Sequence, residues 1–185
     1  MRLSRGELQE VTIAGVGGYG ITAFFLMWSY HYMPTGVATA IHFFYPVVVA
    51  LLMAIFYKER LPLTVRAGIV LAICGVYLLS WTPGEVKWMG LFFVLMSTLT
   101  YGCYITALNR PVLKRINPDV LTCYVLLFTA LFYLIVAVAR GKMEIITRPR
   151  FLMDMGQLAV LSTIVSARLL VAAVKLIGSV TSSVL

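Results

Sequence analysis

Long apolar runs, separated by short clusters of polar and charged residues, make up most of the chain. A bilayer core about 30 Å thick needs roughly 20 apolar residues of helix to cross it, and six runs reach that length. The first predicted span covers about Val11 to Tyr32, and Pro34 breaks its connection to the next. The second covers Gly36 to Tyr57 and contains Pro46, and Lys58 to Pro62 forms a short loop after it. The third covers about Thr64 to Trp81 and ends at a Thr82-Pro83-Gly84 turn. Trp88 to Leu108 is the fourth span, and a basic loop, Asn109 to Pro118, leads to the fifth, Asp119 to Ala139. A polar stretch, Arg140 to Met153, precedes the sixth, about Asp154 to Gly178. Ser179 to Leu185 reads as the beginning of one more helix.

Composition agrees with this pattern and excludes a soluble domain. Of 185 residues 61% are hydrophobic and 12% charged, with a mean hydropathy of +0.95. A soluble surface typically needs about 25% charged residues. The expected class is an all-α, polytopic membrane protein. Its first span reads as a retained helix, because Met1 to Glu10 mixes two Arg with two Glu and no small-x-small cleavage site follows.

The net charge of +8 changes the picture only once it is placed on the loops. Nucleic-acid binding is not expected, since no basic stripe with exposed aromatics remains outside the spans. Basic residues instead accumulate on cytoplasmic loops. A cytoplasmic N-terminus puts Arg2, Arg5, Lys58, Arg60, Arg66, Arg110, Lys114 and Arg115 inside. It leaves Lys87, Arg140, Lys142, Arg148 and Arg150 outside, so the balance favours N-in, in the cytoplasmic (inner) membrane. Trp28, Trp81 and Trp88 then fall near outer span ends, as interfacial anchors. Cys74, Cys103 and Cys123 stand singly inside spans and read as small buried hydrophobes, without metal-ligand or redox spacing.

Few residues within the spans carry chemistry. Arg168 lies near the middle of the sixth span, where a cation costs at least about 2.5–3.5 kcal/mol. Either it lines a substrate path and favours carboxylate-bearing ligands, or it snorkels about 10 Å toward the cytoplasmic face. His42 sits close to Tyr45 and Pro46, and Pro46 frees the carbonyl of His42. That trio could line a substrate or proton site, or His42 could be a neutral histidine bonded to a neighbouring helix. His31, at a span end, reads as interfacial. Ser97, Tyr101 and Tyr104 share one face of the fourth span, with Thr98 beside them and Thr106 turned away. They line a pathway or join helices by hydrogen bonds.

Gly15-x-Gly17-x-x-Gly20 matches a dinucleotide fingerprint in letters only, since it lies inside a span with no strand before it. Ala14 with Gly18, and Gly68 with Ala72, are spaced as small pairs that let helices approach closely. Glu59 reads as a loop ion-pair partner. No span carries paired carboxylates, a Gly-x-Ser-x-Gly elbow or a His-Glu-x-x-His motif, so an enzyme is not expected, nor a cofactor or metal. No ATP-binding motif appears, so transport would draw on an ion gradient or the substrate's own gradient.

Sliding the chain along itself gives one match, at an offset of 144 residues. Ala23 lies over Ala167, Leu26 over Leu170, and the stretch Tyr32 to Ile41 over Leu176 to Leu185. If the sixth span repeats the first, the parent unit has five helices, and an odd number turns its second copy upside down. The match also predicts further helices before Met1 and after Leu185.

Tyr45-Pro46, Lys58-Glu59-Arg60-Leu61, Gly68 and Gly75-Val76 resemble an EamA-type member of the drug/metabolite transporter superfamily. The stretch from His42 to Leu79 is similar to the end of that family's first repeat, and Lys175 to Leu185 to the matching part of the second. The resemblance implies a ten-helix bundle of two inverted five-helix repeats. Residues 1–81 would then be the last three helices of the first repeat, and 82–185 the first three of the second plus the start of its fourth. It also implies a secondary transporter that moves small metabolites, amino acids or drugs, often outward. The expected partners are a small-molecule substrate, a proton or other ion, the lipid bilayer, and either a second copy or the parent protein's remaining helices. A non-transporting assembly subunit and a membrane-embedded enzyme stand as alternatives.

Overall fold

The computed structural model describes residues 3–58, 63–80, 87–141 and 148–184. Among them all regular structure is helical. Helix α1, Arg5–Ser29, starts at a reciprocal cap: Ser4 Oγ accepts from Glu7 N–H at 3.3 Å, and the Glu7 carboxylate accepts from Ser4 N–H at 2.7 Å. Its middle, Ile13–Gly20, is wound as a π-helix. The second predicted span is two helices, α2 (Thr35–His42) and α3 (Tyr45–Phe56). Helices α4 (Leu63–Ser80), α5 (Trp88–Ala107), the short α6 (Pro111–Arg115) and α7 (Pro118–Ala139) follow. Helix α8, Pro149–Ile177, has a second π-helical stretch at Leu158–Val165. Gly178, at φ +84°, ends α8 in a conformation that favours glycine, and α9 (Ser179–Val184) follows.

Among the described residues five helical spans are long and apolar enough to cross a membrane: Arg5–Ser29, Thr35–Phe56, Trp88–Ala107, Pro118–Ala139 and Pro149–Ile177. The third predicted span is represented by α4, while Trp81 and the Thr82-Pro83-Gly84 turn lie outside the described residues. So do Glu59 to Pro62, Lys142 and most of the loop around it. The sixth span begins earlier than its hydropathy predicts, because Pro149, with its fixed φ and missing N–H, suits the first helical turn.

Helix α5 is the hub, packed by α1, α2 and α3, while α7 lies against the π-helical part of α1. A core of Val11, Val49, Tyr104, Ile105, Leu121 and Val171 draws on α1, α3, α5, α7 and α8. Gly18 permits a close α1–α5 approach, since a Cβ there would stand 2.9 Å from Cβ of Tyr104. The small pair Ala14 and Gly18 therefore does what its spacing predicts. At Gly68 nothing among the described residues comes within 4 Å of the position its Cβ would take.

The cysteines correct the sequence reading, for all three are exposed. Lipid is as apolar as a protein interior, so an apolar side chain on a span gains little from turning inward. At one end of the bundle Arg110 pairs with Glu10 at 2.7 Å, Arg168 pairs with Asp119, and Lys175 donates to the carbonyl of Ile116. At the other end the Lys87 N–H donates to the Tyr32 carbonyl, and the Arg140 guanidinium lies 5.5 Å from the Trp28 ring centre. The residues flanking Tyr32, Lys87 and Arg140 thus share one end, and those flanking Arg110, Asp119 and Lys175 the other.

Candidate functional site

The break between α2 and α3 falls where the sequence places Pro46. Without an N–H, Pro46 cannot close the helical bond to the carbonyl of His42. The chain turns instead through Phe43 and Phe44, and the Phe44 carbonyl accepts from Val47 N–H at 3.0 Å. His42 thereby ends one half-helix and Tyr45 opens the next, and both face α5 (below).

His42 is buried, and its Nδ1 lies 3.0 Å from Oγ of Ser97 on α5. Ser97 Oγ also donates to the carbonyl of Thr22 on α1 at 3.0 Å. The Thr22 hydroxyl reaches that of Thr100 at 2.8 Å and donates to the Gly18 carbonyl at 2.8 Å. One polar network therefore ties three spans together at membrane depth, where an unmade hydrogen bond has no water to replace it.

A column of rings continues from His42. Its ring centre lies 5.4 Å from that of Tyr101 and 5.9 Å from that of Tyr45. Tyr45 and Tyr101 meet edge to face at 4.8 Å. Tyr101 stacks on Tyr104 at 6.0 Å, and Tyr104 meets Tyr19 of α1 at 5.8 Å. The column ends at a crevice of about 260 Å³ between α1 and α5, lined by Gly17, Gly18, Tyr104 and the Glu10–Arg110 ion pair. A second crevice, of about 390 Å³ between α3 and α5, shares Cys103, Ala107 and Arg110 with the first. Thr106, whose buried hydroxyl has no partner among the described residues, is one of its lining residues.

The structure gathers His42, Tyr45, Pro46, Tyr101 and Tyr104 in one place. Arg168 lies elsewhere: its guanidinium bonds to the carboxylate of Asp119 at the start of α7, and 60% of its side chain is exposed. The sequence reading missed Tyr19, Thr22 and Thr100. Tyr19 and Thr22 are three residues apart on one helical face, a signal hidden because α1 reads first as a run of small residues.

Apart from the Glu10–Arg110 ion pair at its end, the column offers aromatic faces, hydroxyls and one imidazole. Cation–π attraction, stacking and neutral hydrogen bonds are the forces it can apply to a small organic ligand.

Comparison with known proteins adds three findings. Residues 2–81 match the EamA-like transporter family. An uncharacterized transporter of Archaeoglobus fulgidus is 31% identical over 121 residues, which are 65% of this chain and 43% of that protein. A probable terminal-alkyne amino-acid exporter of Streptantibioticus cattleyicolor is 26% identical over 129 residues, 69% of this chain and 43% of that protein. The chain thus spans less than half the length of these curated relatives. No solved structure matches it.

Proposed function

We propose that this chain, which matches the EamA-like transporter family over residues 2–81, serves as a secondary transporter of small metabolites, amino acids or drugs. The observation that carries the reading is the broken second span, which sets His42 and Tyr45 against Ser97 and Tyr101 of the central helix. Discontinuous helices at membrane depth are a recurring way for carriers to expose polar groups to a substrate. The relative named as an amino-acid exporter favours an amino-acid-like substrate moved outward. Basic residues concentrated at the end that holds the N-terminus favour a cytoplasmic N-terminus in the inner membrane.

The register of the helices supports an internal repeat. Arg5 and Pro149, which open α1 and α8, stand 144 residues apart, as do Thr35 and Ser179, which open α2 and α9. The two π-helical stretches, each of eight residues, are 145 apart. Under this reading 1–81 and 82–185 carry parts of two inverted repeats. Arg168, paired with Asp119 outside the column, stays in the proposal as a group that draws carboxylate-bearing substrates to that end of the bundle.

Counterflow tests the transport reading. Vesicles holding the chain and unlabelled amino acid should take up labelled amino acid from outside, and Tyr101→Ala should lower that uptake about tenfold, the loss of roughly one aromatic contact. Inserted protein that exchanges none of a panel of amino acids and cationic drugs would overturn it. Arg168→Gln should slow anionic substrates and spare neutral ones. Equal rates for both would remove Arg168 from the path.

A further inference from the structure

The hydrogen bonds around Ser97 fix which nitrogen of His42 carries a proton. Ser97 has one hydroxyl hydrogen and two neighbours, the Thr22 carbonyl and His42 Nδ1, each at 3.0 Å. A carbonyl can only accept, so the hydroxyl hydrogen goes to Thr22. Ser97 Oγ must then accept from His42, which places a hydrogen on Nδ1. In the neutral ring the other nitrogen, Nε2, is left with a bare lone pair. The sealed polar atoms without partners among the described residues are the hydroxyls of Thr106 and Thr122. Among the described residues the hydrogen bond of the His42 ring runs from Nδ1 to Ser97 and none reaches Nε2, which leaves that lone pair for a proton.

What surrounds the ring suits a charge that comes and goes. Tyr101 and Tyr45 lie with ring centres 5.4 and 5.9 Å away, within the range over which an aromatic face attracts a cation. From the packed elements, the titratable groups facing His42 are Tyr45 of α3 and Tyr101 of α5, with Tyr104 and Tyr19 farther along the column. Helix α4 also touches α2, and its ionisable residues are Arg66, Cys74 and Tyr77, whereas the bond and ring contacts of His42 go to Ser97, Tyr45 and Tyr101. The carboxylates of Glu7, Glu10, Asp119 and Asp154 sit toward span ends. Among the described residues no carboxylate faces the ring to hold the histidine permanently charged.

We propose that His42 is a reversible proton-binding site on the pathway: Nδ1–H stays anchored on Ser97 while Nε2 takes up and releases a proton beside Tyr45 and Tyr101. On uptake the O–H bond of a hydronium ion breaks as the Nε2–H bond forms, and water is left; release reverses this. Because Nδ1–H donates to Ser97 in both states, charging the ring leaves the network across α1, α2 and α5 intact. The proposal rests on the column being the pathway, and its test needs no flux.

The full chain, labelled with ¹⁵N-histidine in lipid nanodiscs, provides that test. His31→Gln removes the other of the two histidines, so the ring signals report His42 alone. At about pH 8 the Nδ1–H tautomer should outweigh Nε2–H about tenfold, the ratio that one net hydrogen bond gives. Lowering the pH to about 4, through the range where protein histidines titrate, should convert it to the doubly protonated ring. Ser97→Ala should abolish the tautomer preference, while Ser97→Thr, which keeps the hydroxyl, should retain it. A neutral ring protonated on Nε2 would overturn the proposal, as would a ring that stays neutral throughout. Loss of counterflow with these NMR results intact would count against the transport reading alone.

Discussion

At the residue scale, space and hydrogen-bond geometry decide what each side chain does. Gly18→Ala should destabilise the fold by about 1–3 kcal/mol, as overpacking does, because its Cβ would meet Tyr104 at 2.9 Å. Gly17→Ala, one residue away, has only a methyl of Ile13 at 4.0 Å and should cost nothing measurable. Unfolding both variants in mixed detergent micelles checks the contrast, and equal losses would place the α1–α5 contact elsewhere. Thr22→Val should cost about 0.6 kcal/mol, the average for a hydrogen bond between membrane helices. The same unfolding measurement reads it. The sequence marked His42, Tyr45, Tyr101 and Tyr104 because polar and aromatic residues share helical faces at fixed spacing. It could not mark Thr100 as a partner of Thr22, since that bond joins residues 78 apart and depends on how two helices cross.

At the element scale, the informative letters are the helix punctuators. Pro46 predicts a disturbed second span, and the structure shows a two-residue turn, Phe43 and Phe44, between α2 and α3. Pro46→Ala restores a backbone donor and should let the helix run through. Transport should then fall with folded stability kept or raised, and counterflow beside a thermal melt would show both. A variant that is equally active would mean the break is incidental. The two π-helical stretches were not legible, because a wide turn depends on what claims its displaced carbonyls. In α1 those claimants are distant in sequence: Thr129 donates to the Gly15 carbonyl at 2.9 Å and Tyr133 to that of Gly20 at 2.8 Å. The cysteines misled for a related reason, since apolar character on a span does not say which way a residue faces.

At the scale of the whole molecule, membrane residence and helix order were legible, because a bilayer sets span length and leaves the backbone little choice but to pair within a helix. Which end faces the cytoplasm depends on loop charge, and labelling can settle it. With Cys74, Cys103 and Cys123 replaced, Lys87→Cys should react with an impermeant maleimide added outside cells, and Lys114→Cys only after lysis. The reverse pattern would invert the orientation. The break in the second span also bears on how the chain enters the bilayer during synthesis. At 1.5 Å per residue α2 reaches about 12 Å and α3 about 18 Å, and neither alone crosses a core about 30 Å thick. The insertion machinery must therefore accept Thr35–Phe56 as one hydrophobic unit, before α5 is available to hold the break open. His42 and Tyr45 would cross the translocon as ordinary members of a straight helix and become a site only once the fourth span arrives beside them.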